Sequence, residues 1–137
     1  MPPDPPRVLL SKARDDERLA LLVVDNLTVS DEQIGFLAQQ AIEKAIKAVL
    51  SSQGIRYRRT HDIGELIDLL GTGGISYPAA LDASVALTPF AAEMRYDYLP
   101  PEAAGEKPLD RAGTMRLVRT VLEWAERSIR SQDPNRP

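Results

Sequence analysis

Proline divides this chain of 137 residues into long segments that are free to form helices. Proline fixes φ and has no backbone N–H group, so a long helix requires a segment without it. Nine of the eleven prolines lie at the two ends or in one loop: Pro2, Pro3, Pro5, Pro6, Pro100, Pro101, Pro108, Pro134 and Pro137. Only the other two, Pro78 and Pro89, interrupt periodic sequence. This distribution predicts flexible tails over residues 1–6 and 132–137, with one domain over residues 7–131.

The segment from Asp31 to Gln53 carries the clearest helical pattern. Ser30 and Gln33 match a capping box at its start, and Gly54 supplies a stop. The apolar stripe consists of Ile34, Leu37, Ala38, Ala41, Ile42, Ala45, Ile46 and Val49. The polar residues predicted to face away from it are Gln40, Glu43, Lys44 and Lys47. The segment therefore predicts a long amphipathic helix with one buried face.

Four further segments repeat apolar residues at helical spacing. One runs from about Arg7 to Asn26, a second opens at Asp62, a third starts at Pro78 and the last begins near Asp110. Asp62 and Glu65 match a second capping box. No segment alternates with the period of two that a strand requires. The chain is therefore predicted to be all-α, an up-down antiparallel bundle of four to five helices.

The composition excludes several classes of function. The chain has no cysteine and one histidine, which leaves no disulfide, thiolate nucleophile or multi-histidine metal site. Its net charge of −3 gives no overall positive field toward DNA or a membrane surface. No apolar run approaches the ~20 residues of a membrane span, and the first residues do not resemble a signal peptide. These features predict a cytoplasmic protein without a metal site.

His61 is the first candidate functional residue. As the only histidine, it is the side chain best suited to transfer a proton at neutral pH. It follows Arg56, Tyr57, Arg58 and Arg59 and lies at a predicted helix start, which together make a local site for an anion such as phosphate. The alternative is that the histidine packs beside a helix cap and that the arginines form a solvated loop.

Two other groups of residues are candidates. Arg95 and Tyr96 lie where a helix gives way to a loop, and this pair is suited to clamping a phosphate or stacking on a base. The alternative is that they fasten the loop to the bundle. The other group is Gln39 and Gln40 with Glu43 and Lys44; Gln39 borders the apolar stripe, so it is predicted to be a partly buried polar group that orients a neighbour. The alternative is that these residues form an ordinary solvated helix face.

Four segments occur in an order that is typical of one family. They are Ala13 and Asp16 with Ala20, Leu21 and Leu22; the run Phe36–Ala48; Thr60-His61-Asp62-Ile63 with Leu66 and Leu70; and Arg95-Tyr96 before the last helix. From about Ala13 to Ile129, this order resembles the HEPN family, the higher eukaryotes and prokaryotes nucleotide-binding domain.

The resemblance implies a helical bundle that forms a homodimer and pairs with a small nucleotidyltransferase in a toxin–antitoxin-like system. It implies a nucleotide-binding role that requires no cofactor, with ATP or another nucleotide as the ligand. Under this interpretation His61, Arg95, Tyr96 and Arg59 bind the nucleotide or its phosphate, and Asp62 orients His61.

The resemblance also implies an alternative, a dimeric, metal-independent ribonuclease that acts as a toxin on RNA. Such members use an arginine followed four to six residues later by a histidine, and Arg56 and His61 satisfy this spacing. His61 would then be the general base and acid, and Arg56 or Arg95 would stabilise the phosphorane. In the family the pair lies within a later helix, whereas Arg56 lies in a predicted loop, so the non-catalytic role is favoured. In a third, structural interpretation, His61 and Arg95 only fasten loops to the bundle.

Overall fold

The computed structural model describes residues 5–90 and 108–132, and these residues form helices joined by short loops. The helices are α1 (Pro5–Val23), α2 (Asp31–Ser52), α3 (Ile63–Thr72), α4 (Ala79–Ser84), a 3₁₀ helix (Val85–Leu87) and α5 (Arg111–Ser131). The described residues include no strand, which confirms the prediction of an all-α bundle.

Helix α2 is the centre of the bundle, since it packs against α1, α3 and α5. The predicted apolar stripe is buried except for the half-buried Leu37, and Ala41, Ala45 and Ala48 are completely inaccessible to solvent. Small side chains at these positions let the neighbouring helices approach closely. Helices α1 and α2 are also joined by an ion pair in which Lys44 Nζ lies 2.6 Å from Asp16 Oδ2.

The two ends of α2 are capped as the sequence predicts. Ser30 Oγ accepts a hydrogen bond from the Gln33 backbone N–H, and the Gln33 side chain accepts one from the Ser30 N–H. At the other end Gly54 adopts a φ of +72°, and the next residue, Ile55, donates its N–H to Leu50 O at 2.9 Å. The left-handed conformation is the one that glycine adopts without steric cost, and it ends the helix.

Helix α1 begins and ends earlier than predicted. It begins at Pro5, within the segment assigned to a tail, and Pro6 is buried. Proline is compatible with the first helical turn, where the backbone N–H groups have no partner within the helix. The helix ends at Val23 rather than Asn26, because a turn follows in which Asn26 Oδ1 accepts the N–H of Thr28.

Arg111 fixes the loop between α1 and α2 from the first turn of α5. Its Nε donates to Asp31 Oδ1 at 2.9 Å. Its other two nitrogens donate to the backbone carbonyls of Val24, Asn26 and Val29. A guanidinium presents five donors in a planar fork, so one side chain can hold several carbonyls together. The first turn of α5 is thereby joined to the start of α2.

The acid dependence of folding is expected to involve Asp31. Hydrogen bonds from the Leu109 N–H and from Arg111 lower the pKa of this carboxyl from its ordinary 3.8, against the opposing effect of burial. A lowered pKa in the folded state contributes stability that is complete above 3.8 and is lost as the pH falls through the folded-state value. Chemical denaturation between pH 6 and about pH 2.5, monitored by Trp124 fluorescence, measures the free energy of unfolding at each pH. This free energy should fall more steeply with decreasing pH in the wild type than in Asp31→Asn. Equal slopes for the two proteins would contradict this assignment.

Candidate functional site

His61 lies between the α2–α3 loop and the cap of α3, with its ring against helix α2. Its Nδ1 is 2.7 Å from Oε1 of Glu43. The His61 side chain is 41% exposed to solvent, whereas the Glu43 side chain is only 4% exposed. The imidazole therefore has one edge on a buried carboxylate and remains within reach of solvent.

Two glutamines of α2 hold this pair in place. Gln39 is completely buried, and its Nε2 donates to the backbone carbonyl of His61 at 3.0 Å and to Glu43 Oε1 at 3.4 Å. Gln40 Nε2 donates to Gln39 Oε1 at 2.7 Å, which fixes the orientation of that amide. Gln39 thus orients a neighbour, as the sequence predicts.

Lys47 supplies the positive charge on the other side of Glu43. Its Nζ lies 3.6 Å from Glu43 Oε2 and 5.7 Å from the centre of the Tyr57 ring. Both distances are within the range of ion-pair and cation–π attraction. Glu43 therefore contacts His61, Gln39 and Lys47 at once, and a carboxylate with so many partners is held rigidly.

The Glu43–His61 pair fixes how the histidine can act. A carboxylate at Nδ1 accepts a hydrogen bond from the Nδ1–H group, which selects one tautomer and one ring orientation. A ring fixed in this way is preorganised to meet a phosphate or a polar group of a partner protein.

The role of Glu43 is a correction to the sequence analysis, which placed this residue on the solvent-facing side of α2. The loop that carries His61 covers that side, and Glu43 is consequently buried. Asp62 was expected to orient His61. Instead, the Asp62 side chain caps α3 by accepting the Glu65 N–H at 3.3 Å, and Glu43 provides the carboxylate at Nδ1.

The three arginines before His61 have different surroundings. Arg58 forms hydrogen bonds to both carboxylate oxygens of Glu65 and thereby lowers the pKa of that carboxyl. This contact takes the Glu65 side chain away from the predicted capping box. Arg59 is exposed, and Arg56 is exposed at the edge of a cavity that does not include His61. The structure therefore does not place Arg56 and His61 in one pocket.

Arg95 and Tyr96, the remaining predicted ligand residues, lie outside the described residues. Within residues 5–90 and 108–132 no group of three or more histidine or acidic side chains is arranged to hold a metal ion. In the same two ranges no helix is both long enough and apolar enough to cross a membrane.

Comparison with known proteins gives two matches and one negative result. The family model of the HEPN domain matches residues 7–129. The crystal structure of an archaeal HEPN homologue superposes with a TM-score of 0.67 at 26% sequence identity, covering 90% of this chain and 97% of that one. No curated protein matches the chain.

Proposed function

Since the chain belongs to the HEPN domain family, we propose that it is a non-catalytic, nucleotide-binding partner of a small nucleotidyltransferase in a toxin–antitoxin-like system. The observation that carries this proposal is the His61 ring, fixed at Nδ1 by the buried Glu43 and still exposed to solvent. Family membership supports a nucleotide-related role, and the fixed imidazole is the side chain best placed to contact a phosphate.

The ligand is a nucleotide such as ATP, and no cofactor is required. Exposed Arg59 lies two residues before His61 and adds positive charge for the phosphates. Arg95 and Tyr96 complete the proposed set, with the guanidinium on phosphate and the ring on the base. Asp62 acts in this proposal through its cap of α3, which fixes the segment that carries His61.

The alternative function is a metal-independent endoribonuclease. It requires an arginine and a histidine on the same scissile phosphate, so that proton transfer and charge stabilisation act together. Arg56 lines the cavity near the start of α1, whereas the His61 ring packs on Glu43 of α2. This separation favours the binding role over cleavage of RNA.

Protein partners, including a second copy of the chain in a homodimer, are also part of the proposal. Leu19, Leu21 and Leu22 at the end of α1 and Leu27 in the next loop are exposed, with Leu27 at 90%. Exposed apolar side chains of this size are the kind that a protein partner buries. We assign the homodimer contact to the end of α1 and the loop that follows it. We place the complex in the cytoplasm.

Native mass spectrometry of the protein purified from its own cells tests the proposed function. We expect a homodimer that carries a nucleotide mass or a heteromer with a nucleotidyltransferase of small size. A protein that is found without a nucleotide or a partner, and that binds neither ATP nor a nucleotidyltransferase, would contradict the proposal. Cleavage of RNA by the wild type and not by His61→Ala would establish the ribonuclease instead.

His61→Ala is expected to weaken ATP binding while leaving the fold intact. A charge-assisted hydrogen bond contributes about 1.5–3 kcal/mol, which corresponds to a loss of affinity of roughly 10- to 100-fold. Calorimetric titration of ATP into the two proteins measures this loss. Asp68→Ala, at an exposed position of α3, is the control and should bind like the wild type. If His61→Ala binds ATP with the affinity of the wild type and has an unchanged melting temperature, His61 does not contact the nucleotide.

A further inference from the structure

A cavity of about 720 Å³ lies where the first turn of α1, the last turn of α2 and the last turn of α5 meet. Ligand sites in proteins usually occupy about 300–1,000 Å³, so the cavity is large enough for a small organic molecule. His61 is not among its lining residues, and the site is therefore separate from the one described above.

The cavity carries positive charge on a protein whose net charge is −3. Arg7 from α1 and Arg56 from the α2–α3 loop both line it. Among the residues that the structure describes, no carboxylate pairs with Arg56, and Arg7 pairs only with Glu126 at 3.4 Å.

Glu126 cannot neutralise Arg7, because three guanidiniums share this one carboxylate. Arg14 lies 3.7 Å and Arg130 3.0 Å from it, in addition to Arg7. Burial raises the pKa of Glu126, but the hydrogen bond from Arg130 and the charges of Arg7 and Arg14 outweigh it and lower the pKa. The carboxylate is thus ionised at neutral pH. Its single negative charge is shared by Arg7, Arg130 and Arg14, of which Arg14 also lies 3.9 Å from Glu17.

The remaining walls combine an aromatic ring, apolar side chains and a hydroxyl. Tyr57 lines the cavity, and Lys47 Nζ lies 5.7 Å from the centre of its ring. Ile55 and Ile129 provide apolar surface, and Ser51 provides a hydroxyl near the end of α2. Apolar walls with a few polar and charged groups are typical of a site for a small molecule with one charged end.

We propose that this cavity binds a phosphorylated small molecule with a flat ring, of the size of a nucleoside monophosphate. The phosphate contacts Arg7 and Arg56, which provide planar donors suited to its oxygens. The ring packs against Tyr57 and Ile55. An extended RNA strand is disfavoured, because the cavity is of small-molecule size and the chain as a whole is acidic.

Calorimetric titration of adenosine monophosphate (AMP) at low salt tests this proposal. We expect AMP to bind, adenosine and inorganic phosphate to bind more weakly, and added salt to reduce the affinity for AMP. Arg7→Gln and Arg56→Gln should each weaken AMP binding by about tenfold or more, since each removes a charged hydrogen-bond donor. Arg127→Gln, at an exposed position of α5, is the matched control and should leave the affinity unchanged.

Several results would overturn the proposal. One is the absence of AMP binding at millimolar concentration in the wild type. Another is an affinity that does not change in Arg7→Gln, provided that Trp124 fluorescence shows the variant to be folded. AMP binding that is lost in His61→Ala and kept in both arginine variants would assign the nucleotide to the His61 site alone. Loss of ATP binding in His61→Ala together with AMP binding that depends on Arg7 would support both sites.

Discussion

Arg111→Ala is expected to lower the free energy of unfolding by about 2–4 kcal/mol, because it leaves a carboxylate and several carbonyls without their charged donor. The wild-type guanidinium donates to Asp31 and to the carbonyls of Val24, Asn26 and Val29. The Arg111 side chain is only 16% exposed to solvent. Water therefore replaces its hydrogen bonds only incompletely in the alanine variant. Thermal denaturation followed by circular dichroism should show a melting temperature lower by roughly 10 °C for a chain of this size.

Two control variants separate the hydrogen bonds of Arg111 from its charge. Arg116→Ala removes an exposed arginine from the same helix and should change the stability by less than about 0.5 kcal/mol. Arg111→Lys retains the charge but offers no planar fork, and should be destabilised almost as much as Arg111→Ala. A lysine variant with wild-type stability would show that charge alone holds the loop.

The bundle follows from the sequence because its signals are local. The stripe of α2 has a period that only a helix satisfies, and its ends carry Ser30, Gln33 and Gly54 in capping positions. Each of these signals lies within a few residues of the structure that it specifies. The start of α1 at Pro5 was missed because a proline run is typical both of a tail and of a first helical turn.

The site was harder to predict because its contacts join residues that are distant in sequence. The sequence pattern places Gln39 at the border of the apolar stripe but places Glu43 in solvent, since the spacing of Glu43 to Lys47 is typical of an exposed ion pair. Only the path of the loop that carries His61 buries this carboxylate. Two signals were available: Glu43 follows Gln39 by four residues, on the same face of the helix, and belongs to the run that resembles the HEPN family. Arg111 was missed for the same reason, because nothing near it in sequence reveals the carbonyls that it binds.

Glu43→Ala should destabilise the protein by about 2–4 kcal/mol, since removing one member of a buried ion pair leaves its partners uncompensated. The carboxylate contacts His61 Nδ1, Lys47 Nζ and the Gln39 amide. Because His61 and Lys47 retain access to water, the loss is smaller than for a fully buried pair. Urea denaturation monitored by Trp124 fluorescence measures it. Glu123→Ala, which breaks an exposed ion pair with Arg119, is the control and should cost less than about 1 kcal/mol.

Glu43→Gln separates the positioning of His61 from the stability of the bundle. Glutamine keeps the shape of the side chain but removes the charge, so we expect a smaller loss of stability than in Glu43→Ala. The chain has one histidine, so its two ring nitrogens are the only imidazole signals in a nitrogen NMR spectrum. In the wild type the proton should reside on Nδ1 when the ring is neutral, and in Glu43→Gln this preference should weaken together with ATP affinity. If the variant loses stability while the tautomer and the affinity are unchanged, Glu43 is a structural residue and does not position His61.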